Sequence, residues 1–427
     1  MARLSTCASA LVAGALLAAC AMPAGAATFR VNSTADLPDP APGDGVCGVN
    51  LVAQQGIERQ TAGDIVRNPA RCTLRAAVSE ANARSGADLI LLTSGTYPLS
   101  RGELDVVGVR FRRGPDASLV PGPPRSTITI RGTGAFTPTI TAQGRSRIFD
   151  VAGGPLLRGA LTLEGVNLTG GRVTTGDGGA IRAGGPVTVS RSLMRGNQAD
   201  GPGGSGSVIS ATAPVRLEDA TITANTGADG ALVLDGGGTL ERVTVSANQV
   251  TSDSPTEVQA GALVAGLMAP VTVRNSTFAD NVLTLARGDR LAVEIFSWRD
   301  TTLDHVTVRS RTDMTRRGLA GDLQDTSPKL EYTLRGSVID TTCAATAPAS
   351  LGGNVEAGDT CNLTDATDLH DADPLLGALG GNGGPTPTIP LLPGSPAIGR
   401  SGDCPATDQR GSPRPALGCD AGAFEVP

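Results

Sequence analysis

Aromatic side chains are nearly missing from this chain, with one Trp, two Tyr and seven Phe among 427 residues. Aromatic rings supply much of the buried area in an ordinary core, so aliphatic residues have to build the interior. Histidine is scarcer still: His305 and His370 lie far apart, and no cysteines have Cys-x-x-Cys spacing. That excludes the usual zinc patterns. Positive charge is also short, with a net charge of −6 and no basic patch, which argues against nucleic acid as a partner. No apolar run is long enough to span a bilayer as a helix. Gly176-Asp177-Gly178-Gly179 and similar stretches lack the strand-then-helix setting and the Lys of a phosphate loop. Abundant Gly, Thr and Val instead fit a β architecture.

An eleven-residue repeat fills the middle of the chain: Leu161–Gly171, Val187–Asn197, Val215–Asn225, Gly238–Asn248, Val271–Asn281, Thr301–Arg311 and Tyr332–Thr342. Its third residue (Leu163, Val189, Leu217, Leu240, Val273, Leu303, Leu334) is always apolar. So is its eighth (Leu168, Met194, Ile222, Val245, Phe278, Val308, Ile339). The sixth is small or β-branched, and four repeats close on Asn: Asn197, Asn225, Asn248 and Asn281. Alternation within a repeat predicts two short strands, with the fourth and fifth residues at the corner between them. One repeat cannot bury its own inward residues, so coils must stack. The closing Asn is expected to tolerate a left-handed bend and to bond to its counterpart in the next coil. The starts are 23 to 33 residues apart, which predicts loops of variable length at one corner. The expected fold is all-β, a right-handed parallel β-helix with a short N-terminal capping helix and disulfide-fastened ends.

Residues 1–26 read as an export signal: Arg3, an apolar stretch Ala8–Ala21, and small residues at Ala24-Gly25-Ala26. Leu17-Ala18-Ala19-Cys20 offers the alternative of a lipobox, with Cys20 lipidated as the mature N-terminus. Six further cysteines in an exported chain predict disulfides. Their clustering favours Cys47–Cys72, Cys343–Cys361 and Cys404–Cys419, all flanking the repeats.

The N-terminal part, 27–100, opens on a strand at Thr28–Ser33. A loop with Asp36, Asp39 and Asp44 follows. Those carboxylates could hold Ca²⁺, or the loop is simply stiffened by its prolines. Leu74, Ala77, Val78 and Ala81 form one helical stripe behind a Thr73 cap, suited to covering an open solenoid end. Cys72-Thr73-Leu74-Arg75-Ala76-Ala77-Val78, Glu80-Ala81-Asn82, Phe29–Asp36 and Gly43–Cys47 resemble the CSLREA domain of bacterial exported proteins. Ala76 departs from it, standing where that domain has Glu.

Coils are expected over 101–342, and 343–427 forms its own region. Asp373-Pro374-Leu375-Leu376-Gly377, Asn382–Thr388, Pro393–Ile398, Asp408-Gln409-Arg410-Gly411 and Cys419–Glu425 resemble the choice-of-anchor Q region of β-helical bacterial surface proteins. The sequence ends at Val426-Pro427, so no C-terminal sorting segment is expected. Both resemblances imply a pectin-lyase-like fold and a secreted or cell-surface setting, with extracellular glycans or proteins as partners.

That fold also hosts polysaccharide lyases and hydrolases, which need convergent acids. Aligning the corners makes Glu218 and Glu241 neighbours and sets Asp219 between Arg191 and Arg242. These acids are either a catalytic or metal-binding group or a solvated charge ladder. Sparse aromatics, with Trp298 the only Trp, favour the ladder. His305 is expected at the surface, and Arg287-Gly288-Asp289 matches an adhesive tripeptide. The function expected is a non-catalytic structural or adhesive protein. The alternative is a polysaccharide-processing enzyme.

Overall fold

The structure is a computed structural model. It describes residues 26–48, 71–84, 86–107, 112–113, 119–120, 126–153, 159–200, 205–252, 260–285, 288–298, 300–310, 312, 315–316, 318–321, 332–344 and 348–427. The leader with Cys20, and Arg287, fall outside the described residues. The described part is a solenoid of parallel strands in sheets of nineteen, nine and seven strands. A typical coil runs Val187–Arg195 in the largest sheet, Gln198–Ala199 in the seven-stranded one, then Ile209–Ala211 in the nine-stranded third sheet. The next begins at Val215, directly beside Val187.

All seven repeats pair in the alignment read from sequence. Leu163, Val189, Leu217, Leu240, Val273, Leu303 and Leu334 form one column. Leu168, Met194, Ile222, Val245, Phe278, Val308 and Ile339 form another. Both are fully buried, and the third sheet faces them with Phe149, Ile181, Ile209, Leu232, Leu263 and Ile295. Each such side chain contributes about 1.5–3 kcal/mol by leaving water. Stacking continues past Thr342: Ala349–Ser350 and Val355–Glu356 extend the largest sheet. Cys343 itself pairs with Leu319, so this cysteine belongs to a coil and does not merely flank the repeats.

Backbone geometry explains the rest of the repeat. Its fifth residue is left-handed in every case: Gly165, Arg191, Asp219, Arg242, Asn275, His305 and Gly336 have φ between 45° and 60°. A bend there interrupts the ladder, and serine at the sixth position replaces a missing acceptor. Ser192, Ser276 and Ser337 Oγ accept the N–H groups of Val166, Val243 and Val306 in the preceding coils. The second bend corrects an expectation. Its left-handed residue is the tenth (Gly170, Gly196, Ala224, Ala247, Asp280), one before the Asn.

The asparagines form the expected ladder, fully buried. The Asn225 Oδ1 accepts from the backbone N–H and Nδ2 of Asn197. Asn248 serves Asn225, and Asn281 serves Asn248, in the same way. Each Nδ2 also donates to a main-chain carbonyl, as Asn248 does to Ile222. Glu294 ends the ladder, its carboxyl accepting from the Asn281 Nδ2 at 2.6 Å. It follows Ala180, Val208, Ala231 and Ala262 in the coil-to-coil order of the third sheet. Burial pushes its carboxyl up to about 8.

Both ends are covered. The helix Leu74–Ala83 puts Leu74, Ala77, Val78 and Ala81 into the main core. Thr73 Oγ1 accepts the Ala76 N–H, and the Cys47–Cys72 disulfide ties the preceding loop to the helix start. Cys343–Cys361 and Cys404–Cys419 are also bonded, so all three expected pairs are present. The C-terminal region does more than close the far end. It lies back along the outer face of the largest sheet, where Gln409 Nε2 donates to Thr244 Oγ1 and Oε1 accepts from Thr277 Oγ1. Thr307 Oγ1 accepts the Ala423 N–H, and Gly336 O accepts that of Gly422.

Two expectations follow for stability. Asn248→Ala strands the buried backbone N–H of Asn225, removes one partner of its Nδ2, and lowers stability by about 2 kcal/mol, measured by denaturant unfolding. The outward Thr239→Ala changes it by less than about 0.5 kcal/mol. Glu294 keeps its proton in the folded state up to about pH 8, whereas unfolded it releases it near 4.5. Stability therefore falls as pH rises from 4.5 to 8 and levels off above. Glu294→Gln removes this slope, so the variant gains a few kcal/mol over the parent between pH 5 and pH 8.5. Equal slopes in the two proteins would refute the assignment.

Candidate functional site

The corner between the two strands of each repeat carries the candidate acids. Pairing sets Glu164, Ser190, Glu218, Glu241, Arg274, Asp304 and Arg335 in one column. Glu218 and Glu241 are therefore neighbours, as expected. Arg242, at the bend, holds all three candidate carboxylates. Its Nη2 lies 2.7 Å from Glu218 Oε1, its Nε 2.7 Å from Asp219 Oδ1, and its Nη1 3.5 Å from Glu241 Oε1. Arg191 turns the other way, reaching Glu164 at 3.8 Å. Further pairs, Arg131–Glu164 and Arg274–Asp304, continue the ladder.

The two glutamates are tuned oppositely. The hydrogen bond from Arg216 holds Glu218 below the usual carboxylate range, with Arg242 adding to it against burial. Burial pushes Glu241 up, opposed by the Asn275 hydrogen bond and by Arg242. A split of this kind is what acid–base catalysis uses. Here both groups contact one guanidinium, Glu218 at 2.7 Å and Glu241 at 3.5 Å.

His305 is not at the surface. It is fully buried, with Nδ1 2.8 Å from Asp304 Oδ1 and Nε2 3.5 Å from Cys419 Sγ. The C-terminal region and its Cys404–Cys419 bond cover this corner. Burial pushes the imidazole down, outweighing the pull of Asp304, so it stays neutral. No sequence pattern around His305 signals this; only the return path of the C-terminal region creates it.

The three loop acids each have their own partners. Asp36 forms a buried pair with Arg75 (Nε–Oδ1 2.6 Å) and accepts the Ser100 and Arg101 N–H groups. Asp39 Oδ1 accepts from Ala41, and Asp44 Oδ1 from Val46, each closing a local turn. Glu80, from the helix, gathers the N–H groups of Gly43 and Gly45. Asp39 Oδ2 is buried without a hydrogen-bond partner, and burial pushes this carboxyl up, with Glu80 and Asp44 adding to the shift.

Trp298 packs edge-on against Phe296, ring centres 5.0 Å apart, in a second apolar cluster with Val264 and Leu285. It offers no platform beside the corner acids. A groove of about 340 Å³ lies elsewhere, on the third sheet, lined by Asp150, Asp177, Arg182, Ser210 and Thr212. Arg182 and Asp150 form a two-point ion pair in its lining. No helix among the described residues is long and apolar enough to cross a membrane.

No family model matches the chain, and neither a curated protein nor a solved structure resembles it.

The ladder makes its own test. Arg242→Gln removes the guanidinium that the three carboxylates share, leaves Glu218 with Arg216 alone, and lowers stability by about 1 kcal/mol at low salt, less at high salt. Adding Glu241→Gln restores part of that loss. Denaturant midpoints at two ionic strengths measure both effects.

Proposed function

We propose that this chain is an exported, non-catalytic protein of the bacterial envelope or medium, a right-handed parallel β-helix with a structural or adhesive role. One observation carries the reading: Glu218, Asp219 and Glu241 all engage Arg242, while Trp298 packs against Phe296. Three disulfides fit an oxidising compartment. The leader-like residues 1–26 and the resemblances to the CSLREA domain and the choice-of-anchor Q region support the same setting. The mature chain begins after Ala26, or at a lipidated Cys20 if the lipobox is used. Its partners are cell-surface or extracellular glycans or proteins.

The opposite tuning of Glu218 and Glu241 favours a second reading, a polysaccharide lyase or glycoside hydrolase on the same architecture. Incubation with acidic and neutral glycans, followed by assay of reducing ends and unsaturated products, separates the two. The first reading expects no turnover. Turnover that disappears in Glu241→Gln, with folding intact, would establish the enzyme instead.

A further inference from the structure

Where strand stacking ends, three side chains from different loops converge. Glu356 lies on the last strand of the largest sheet, Val355–Glu356. Asp359 follows it in the loop tied by Cys343–Cys361, and His370 lies beyond the bridge between Val355 and Leu369. His370 Nδ1 lies 3.3 Å from Asp359 Oδ1 and 3.9 Å from Glu356 Oε2. One ligand atom from each residue falls within 4.8 Å of the others.

Glu356 is the informative member. Its side chain is fully buried, yet its two oxygens are treated differently. Oε1 accepts from Thr360 N, Thr360 Oγ1 and Cys361 N at 2.7–2.9 Å. Oε2 is buried, faces His370 Nδ1, and has no hydrogen-bond partner; Nδ1 has none either. A buried carboxylate oxygen without a donor is costly, and a cation between these atoms removes that cost. The spacing suits one. Ligand atoms about 2.1 Å from a tetrahedral centre lie about 3.4 Å apart, between the two distances above.

We propose that Glu356, Asp359 and His370 bind a first-row divalent cation of the zinc class. One imidazole nitrogen and two carboxylate oxygens suit that class better than Ca²⁺, which takes six to eight oxygens. The two carboxylates neutralise its charge. The support is already in place: the Oε1 bonds orient Glu356, as outer-shell partners orient metal ligands. Backbone bonds Glu356 N to Leu369 O and Ala372 N to Glu356 O hold the His370 segment beside it. Asp359 is largely exposed and His370 partly so, which provides an entry path and leaves a fourth position facing solvent. The cation fastens the C-terminal region to the last coil, and a water or a partner's carboxylate completes its coordination. The absence of Cys-x-x-Cys or paired-His spacing hid this set, because two of its three ligands are carboxylates.

Co²⁺ titration of the protein with its disulfides intact tests this. Expected is saturable binding of one Co²⁺ with visible absorption of tetrahedral intensity, bleached by added Zn²⁺. His370→Ala and Asp359→Asn should each weaken binding at least about tenfold. Zn²⁺ should raise the melting temperature of the parent and not of His370→Ala. Both substituted residues have exposed surface, and matching circular dichroism confirms that each variant is folded. Absence of saturable binding, equal affinity in folded His370→Ala, or tighter binding of Ca²⁺ than of Zn²⁺ would each overturn the proposal.

Discussion

A left-handed residue at the fifth position of every repeat is the constraint on which the rest of the solenoid depends. It bends the chain within the largest sheet, between two short strands in five repeats and inside the single strands Val187–Arg195 and Val215–Thr223 in the other two. The same turn at the same position keeps Leu163, Val189 and Leu217 stacked over many coils. A single-residue slip would bring polar residues inward. Left-handed geometry costs a non-glycine residue roughly 1–2 kcal/mol, yet five of the seven positions are Arg, Asp, Asn or His. Those side chains offset the cost through the neighbours that stacking supplies: Arg242 finds Asp219, and Asn275 finds Glu241. Strain at the bend and order in the columns are two sides of one arrangement.

Columns also explain how a chain so poor in aromatics stays together. Its apolar columns are aliphatic apart from Phe278 and Phe149, and its asparagine column is buried and continuous. The asparagine ladder can remain inside because each amide meets the next, and a low-dielectric interior strengthens such chains. Its end needs a different group, and Glu294 supplies it. The C-terminal region attaches by the same means. Gln409 bridges Thr244 and Thr277, Arg410 stacks on Phe424 at 3.7 Å, and Arg414 pairs with Glu425. Hydrogen bonds and charge do there what a ring-rich core does elsewhere.

Register was legible because it is local. Third and eighth residues declare an inward face, and every pairing among the seven repeats follows from aligning them. The closing asparagines were legible for the same reason, although their left-handed neighbour was not: Ala224 and Ala247 carry no hint of that conformation. His305, Glu294 and Glu356 were illegible because their surroundings come from distant chain. His305 is covered by Cys419, which is 114 residues away. Glu294 lies outside the repeat altogether. A column of outward threonines, Thr244, Thr277 and Thr307, was the nearest available signal that something packs on that face. Threonine suits an exposed strand equally well, so the pattern alone could not distinguish covered from open.

Stacking also bears on chemistry at the corner. Parallel neighbours are about 4.8 Å apart, so an acid at the same position in consecutive coils meets its like. Glu218 above Glu241 is such a case, and without a cation the pair would repel. Arg242 resolves it from the one position that can reach both coils, the bend itself. Glu218 is lowered chiefly by Arg216, and Glu241 is raised by burial against the pull of Asn275 and Arg242, causes that lie in the fold itself. Arg242 lies 2.7 Å from Glu218 and 3.5 Å from Glu241, so both carboxyls are tied to the bend. The same geometry that makes the acids converge makes them cohesive, which is why convergence at a solenoid corner is weak evidence for a catalytic site.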